Sequence, residues 1–184
     1  GPRAAAAEAA RDKLQMRQML AAAGVNSPQF RYFSLDEPLW TVSYLVEFNV
    51  GFPCVVKPLH LNGSRGVMRV NNVDELAAAV TRLRGMLPGD SYFLVESYLS
   101  GVEVALEAVL ENGRLYPLAI FDKPDPLEGP FFEETIYVTP SRLPENVQAK
   151  IVETAAAGAA ALGLQLGSVH AELRVNDGGA WMVE

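Results

Sequence analysis

The chain has 184 residues, 49% of them hydrophobic and 20% charged, with a formal net charge of −7. This is the composition of an ordinary globular protein with room for a sizeable core, in one domain or two small lobes. The negative balance argues against nucleic acid as the main partner but leaves room for a local basic pocket. One cysteine, Cys54, excludes an internal disulfide and points to a reducing, cytoplasmic setting. With only two histidines beside it, a zinc cluster is excluded too. No uninterrupted apolar run reaches the ~18 residues of a membrane helix, so no membrane partner is expected. The chain opens Gly-Pro, which reads as a protease scar or a cut fragment.

In chain order, Met16, Met19, Leu20 and Ala23 recur at helical spacing and predict a helix over Glu8–Ala23, stopped by Gly24 and Pro28. Lys13 falls in its first turns, on or near the polar face. A short helix is expected over Pro38–Glu47. Then comes Phe52–Val70, reading FPCVVKPLHLNGSRGVMRV. A buried strand, Pro53–Val56, presents Lys57 at its end; a loop through Asn62–Gly66 follows, and a second strand runs Gly66–Val70. A lysine beside a Gly/Ser/Arg loop is either a plain turn or a polyphosphate site, with the lysine as point charge and backbone N–H groups as cradle. Asn72 with Glu75 resembles a capping box for a helix over Val73–Met86, whose buried stripe is Leu76, Val80 and Leu83.

Tyr92–Glu96 is a short apolar strand, and Tyr98–Gly101 a hinge. Val102–Leu110 alternates as a half-buried antiparallel strand. Asn112-Gly113 is a type I′ hairpin signal returning through Arg114–Phe121. Further on, a strand is expected over Glu134–Val138, and a helix opened by Ser141 and Pro144 runs to about Leu162. In Gly167–Val175 the residues Val169, Ala171, Leu173 and Val175 alternate with Ser168, His170, Glu172 and Arg174. An odd loop, Asp177–Gly179, sets Val175 opposite Trp181, Leu173 opposite Val183, and Glu172 opposite Glu184. Two opposed carboxylates repel. They are either exposed acids at a sheet edge or a seat for a divalent cation such as magnesium, which takes one or two carboxylates plus phosphate oxygens. Glu103 is either a solvated glutamate or an acceptor for the two hydroxyls of a ribose.

Taken in order, ARDKLQMRQMLAAAGV, VVKP with GSRGV, VESYLSGVE, and HAEL followed by a hairpin to VE resemble the ATP-grasp superfamily. FDKP, FFEE…TPSRL and HAEL are closer to its carboxylate–amine ligases, of the amino-acid-ligase and carnosine-synthase type. The resemblance implies an α+β fold of two lobes, each an antiparallel sheet packed on helices, with the nucleotide between them. It implies a lead-in helix over residues 1–25, an N-terminal lobe over 26–97 and a C-terminal lobe over 98–184.

It further implies that Lys13 and Lys57 hold the α- and β-phosphates of ATP, and that Ser64, Arg65 and Gly66 lie in a mobile loop closing over them. Glu96, Ser97 and Leu99 meet adenine, Glu103 holds the ribose, and Glu172 and Glu184 bridge Mg²⁺. Lys123 approaches the γ-phosphate. His170 and Arg174 are either contacts for the substrate carboxylate or structural.

The implied reaction activates a carboxylate as an acyl phosphate for attack by an amine, with amino acids as the expected small-molecule substrates. The alternatives are a biotin-carboxylase-like carboxylase and a nucleotide-binding module without chemistry. Members of the family usually carry a domain before the lysine-bearing helix and continue past the second metal carboxylate. The expectation is therefore an ATP-binding portion of a longer ligase, lacking its flanking domains and doubtful as a catalyst alone.

Overall fold

The computed structural model describes residues 4–61, 63–132 and 135–184. In chain order the elements are α1 (Ala4–Arg11), α2 (Lys13–Ala22), β1 (Phe30–Ser34), α3 (Leu39–Asn49), β2 (Cys54–Pro58), β3 (Met68–Val70), α4 (Val73–Met86), β4 (Tyr92–Ser97), β5 (Val102–Glu111), β6 (Arg114–Lys123), α5 (Glu145–Ala161), β7 (Gly167–Asn176) and β8 (Gly179–Met182). They form two units. The first comprises Gly1–Ser27, Leu99–Pro126 and Glu134–Glu184, and the second Pro28–Tyr98 and Leu127–Glu133. Each is built on a four-stranded antiparallel sheet with helices, the expected α+β class.

In the second unit the strand order is β1-β4-β2-β3. Side chains alternate across a strand, so Cys54 and Val56 of β2 and Phe93 and Val95 of β4 share one face. α3 covers them with Val42 and Val46, and α4 with Leu76, Val80 and Leu83. The other face carries Val55, Lys57, Leu94 and Glu96. α4 starts where its cap signal places it: Asn72 Oδ1 accepts from the Glu75 amide at 3.0 Å, and the Glu75 carboxylate turns back to accept from the Asn71 amide at 2.9 Å. β1 was not expected. It is an edge strand whose Arg31 and Tyr32 are exposed while Phe33 enters the core, so its alternation is faint. The strand expected from Gly66 begins only at Met68. Gly66 itself closes a turn at φ +75°, where a Cβ would lie 3.3 Å from both Pro58 and Leu83.

In the first unit the order is β6-β5-β7-β8. Val104, Leu106 and Ala108 of β5, Ala171 and Leu173 of β7, and Ala180 and Met182 of β8 form one apolar face. Ile151 and Ala155 of α5 and Met16 and Leu20 of α2 pack against it. Asn112 and Gly113 take φ +52° and +79°, the expected type I′ pattern. The helix expected over Glu8–Ala23 is split at Asp12, whose extended backbone and carboxylate cap α2 by accepting from the amides of Leu14 and Gln15. The break turns Lys13 inward: it is buried, not on a polar face. The strand expected over Glu134–Val138 reduces, among the described residues, to one bridge between Asp122 and Val138. Glu134, like Asn62 of the glycine loop, lies outside the described residues.

The last hairpin corrects the expected register. Its loop has two residues, Asp177-Gly178, so Asn176 pairs with Gly179, Val175 with Ala180, Arg174 with Trp181 and Leu173 with Met182. Asn176 Oδ1 accepts from the Gly178 amide at 2.9 Å and from Trp181 Nε1 at 3.0 Å. That holds the indole on the polar face and leaves Ala180 and Met182 for the core. Beyond Met182 the strand bulges. The Glu172 carbonyl accepts from both Val183 (2.8 Å) and Glu184 (3.2 Å), and the Glu172 amide donates to the Glu184 carbonyl at 2.7 Å. The inserted residue brings the backbone of Glu184 opposite Glu172 by a route other than the expected plain ladder.

Candidate active site

In the first unit, paired strands place four side chains in a row across the polar face: Lys123 on β6, Glu103 on β5, Arg174 on β7 and Trp181 on β8. The next row holds Ala105 and Glu172, and the one after it Glu107 and His170. Ala105 is small, so Lys123 reaches diagonally past it. Its Nζ donates to Glu103 Oε1 at 2.9 Å and to Glu172 Oε1 at 2.7 Å. Arg174 Nε donates to Glu103 Oε2 at 2.9 Å, and its Nη1 to the Leu99 carbonyl at 2.8 Å. Both oxygens of Glu103 are thus engaged by buried cations.

Gly101 lets the hinge approach β7, since a Cβ there would sit 2.1 Å from the Val175 carbonyl oxygen. Asn176 Nδ2 ties the same hinge by donating to the Ser100 carbonyl.

At the outer end of this face His170 Nδ1 lies 2.6 Å from Glu107 Oε1, and its Nε2 is 3.6 Å from Glu172 Oε1. Pairing with Glu172 and Glu107 outweighs partial burial and pushes the imidazole up to about 9. For Glu172 burial alone acts upward, but His170 and Lys123 together outweigh it and hold the carboxyl at about 2. Both groups are therefore charged at neutral pH. The raised imidazole contributes stability in full below its ordinary 6.5, and loses it as pH rises through about 9. The depressed carboxyl contributes in full above its ordinary 4.5, and loses it as pH falls through about 2. Urea midpoints are accordingly expected to fall between pH 6.5 and 9.5. His170→Ala is expected to remove most of that alkaline decline; a variant declining as steeply as the parent would contradict the assignment.

α2 supplies a second cluster. Lys13 Nζ is 3.3 Å from Glu184 Oε1, and Arg17, one turn on and fully buried, donates from Nη2 to the Val183 carbonyl. Both cations serve the bulged end of the last hairpin. Arg17 was not singled out from the sequence; its signal was the Lys-x-x-x-Arg spacing, which sets two cations on one helix face. Glu107 was also missed, hidden as one more polar residue in an alternating strand.

In the second unit Lys57 and Glu96 sit diagonally on adjacent strands and form an ion pair of 2.7 Å. Both are buried, at 3% exposure each. Ser97 pairs with Gln29: its amide donates to the Gln29 carbonyl, and its Oγ accepts from the Gln29 amide. Ser64 and Arg65 lie exposed in the turn ended by Gly66, where the Val67 amide donates to the Ser64 carbonyl. Cys54 is a core residue, and burial pushes its thiol up to about 12.

Nine of the fourteen expected residues therefore fall into three groups by ion pairing. Lys123, Glu103, Arg174, Glu172 and His170 form one network, Lys13 joins Glu184, and Lys57 joins Glu96. Residues 50–184 match the ATP-grasp domain family. This chain belongs to the ATP-grasp family.

Among individual proteins, alanine–anticapsin ligase of Bacillus subtilis (strain 168) is 30% identical over 191 residues, covering 92% of this chain and 39% of that protein. D-Alanine–D-alanine ligase of Pseudomonas entomophila (strain L48) is 32% identical over 111 residues, covering 60% of this chain and 32% of that one. The crystal structure of L-amino acid ligase from Bacillus licheniformis aligns with a TM-score of 0.81 and 31% identity, over 98% of this chain and 41% of that one. The chain thus spans about two-fifths of the length of the first and last of these. The resemblance to amino-acid ligases read from FDKP and HAEL agrees with these names. No helix among the described residues is long and apolar enough to cross a membrane.

Proposed function

We propose that this chain carries the nucleotide and phosphoryl-transfer site of an ATP-dependent carboxylate–amine ligase. In the proposed reaction the γ-phosphate of ATP passes to a carboxylate, giving an acyl phosphate and ADP. An amine then attacks the acyl carbon and expels phosphate, leaving an amide or peptide bond. The observation that carries the reading is Lys123, a buried ammonium shared by Glu103 and Glu172, in a chain whose named relatives are amino-acid ligases.

Each proposed phosphate lysine is already held by a carboxylate: Lys57 by Glu96, Lys13 by Glu184 and Lys123 by Glu103 and Glu172. Fixed cations need little reorganisation when charge develops on a transferring phosphoryl group. Glu96, Ser97 and Leu99 meet adenine in this reading, Glu103 the ribose, and the Ser64–Gly66 turn the phosphates. Arg174, held by Glu103 and the Leu99 carbonyl, and His170, held by Glu107, are the cations proposed to meet a substrate carboxylate.

The donor set also fits magnesium. Glu172 is ionised at neutral pH, and the bulge sets Glu184 opposite it in the backbone. Among the described residues no cluster of three or more His, Cys, Asp or Glu forms a self-sufficient metal site, and two carboxylates completed by phosphate oxygens is how Mg²⁺ is commonly held. When bound, the ion would offset charge on the phosphate oxygens. Amino acids are the proposed acid and amine, and the cytoplasm the proposed setting.

The test is ADP release by this chain with ATP, Mg²⁺ and amino acids. The reading expects release that depends on the amino acid. ADP release that no amino acid accelerates, with ATP bound, would favour a nucleotide-binding module without ligation.

A further inference from the structure

Arg69 lies on β3, outside every group so far assigned a role. Its guanidinium stands over the ring of Tyr98, 4.1 Å from the centroid. Tyr98 follows Glu96 and Ser97 directly, and its amide donates to the Pro53 carbonyl, fixing the end of β4 beside the start of β2. The same arginine holds a distant piece of chain. Its amide donates to the Pro130 carbonyl at 2.9 Å, its Nη1 to the Glu128 carbonyl at 2.7 Å, and its Nε to Asn71 Oδ1 at 3.1 Å. Met68 and Phe131 form a bridge alongside, and Leu127 is buried. The segment Leu127–Glu133 belongs to the second unit, although it follows Lys123 of β6 by only a few residues.

The fit leaves no slack at one point. Gly129 has φ +94°, and a Cβ there would come 2.7 Å from Arg69 Cβ and 3.1 Å from its Cδ. Contacts below 3 Å between such atoms force a shift, and the positive φ disfavours any other residue. Gly129 therefore sets where the Arg69 stem can lie. The guanidinium is planar, with donors in a fixed fork, so it can stack on a ring and bond two acceptors at once, as a lysine ammonium cannot.

We infer that Arg69 is a positioning residue for nucleotide binding, locking the Tyr98 end of β4 and the Leu127–Phe131 segment into one arrangement. This rests on the reading that Glu96–Leu99 meets adenine. Arg69 touches no proposed ligand group; it acts through Tyr98. The arrangement makes Gly129, a residue in a separate stretch of sequence, matter to adenine affinity.

The experiment measures ATP affinity by calorimetry for the parent chain, Arg69→Lys and Gly129→Ala, with AMP as a second ligand that lacks the outer phosphates. Hydrogen exchange follows peptides covering 92–100 and 127–132. Arg69→Lys keeps the charge and the backbone N–H hydrogen bond to the Pro130 carbonyl, so it tests the fork and the stack without unfolding the strand.

Both variants are expected to weaken ATP and AMP by about three- to fivefold, the range of a cation–π contact. Both peptides should exchange faster in each variant, and the double variant should be no worse than either single one. Parent-like affinity in Gly129→Ala, with faster exchange confined to 127–132, would overturn the inference while leaving the nucleotide reading intact. No ATP binding by a folded parent chain would overturn both.

Discussion

Replacing Lys123 by alanine is expected to cost about 3 kcal/mol of folding stability. The ammonium is fully buried and makes contacts of 2.9 and 2.7 Å to two carboxylates. An exposed ion pair is worth under about 1 kcal/mol because water and salt screen it. Here the neighbours cannot turn to solvent: Glu103 is 8% exposed, and the Glu172 side chain 19%. Removing the lysine leaves Arg174 as the partner of Glu103 and His170 as that of Glu172. Two anionic carboxylates then share a partly dry face with one cation fewer.

Lys123→Met separates charge from packing, since it keeps most of the stem. If charge dominates, methionine is nearly as destabilising as alanine, and adding Glu103→Gln restores part of the loss by removing a carboxylate left short of partners. Urea unfolding of the four proteins makes the comparison. A loss below 1 kcal/mol in Lys123→Ala, or a methionine variant as stable as the parent, would show that the bridged network is not what holds this face together.

The elements most legible in the sequence were those whose signals are local. α4 is specified at its start by Asn72 and Glu75 and along its length by Leu76, Val80 and Leu83, all fully buried. The β5–β6 turn needs only Asn112-Gly113. What escaped depends on partners far along the chain. Nothing near Lys123 indicates that β5, paired with β6 through the Asn112-Gly113 turn, also lies beside β7, yet that order alone lets one lysine meet Glu103 and Glu172.

The last hairpin failed for a different reason. Trp181 and Val183 are the more apolar alternating pair, so hydrophobicity favours turning them inward. The space left by α5 instead suits Ala180 and Met182, and Gly158 shows how close that helix comes, since a Cβ there would lie 3.3 Å from Met182 Cε. A bulge then restored the Glu172–Glu184 proximity that a plain register had suggested. For Lys13, the spacing indicated a helix but not the Asp12 break that turns the lysine toward Glu184.

Among the proposed roles, those of Glu172 and Glu184 depend most on a species other than protein. Glu172→Gln keeps the shape of the side chain and removes its charge, so Lys123 and His170 retain a hydrogen-bond acceptor while a divalent cation loses one of two carboxylates. Magnesium bound to a nucleotide exchanges part of its water for such oxygens, and a tenfold change in affinity corresponds to about 1.4 kcal/mol.

The measurement that bears most directly on the whole account is therefore the ATP affinity of this chain in Mg²⁺ and in EDTA, for the parent and for Glu172→Gln. The account predicts that the parent binds ATP at least about tenfold more tightly with Mg²⁺ than with EDTA, and that the difference largely disappears in the variant. Equal affinity of the parent in both conditions, or an undiminished magnesium effect in Glu172→Gln, would contradict it.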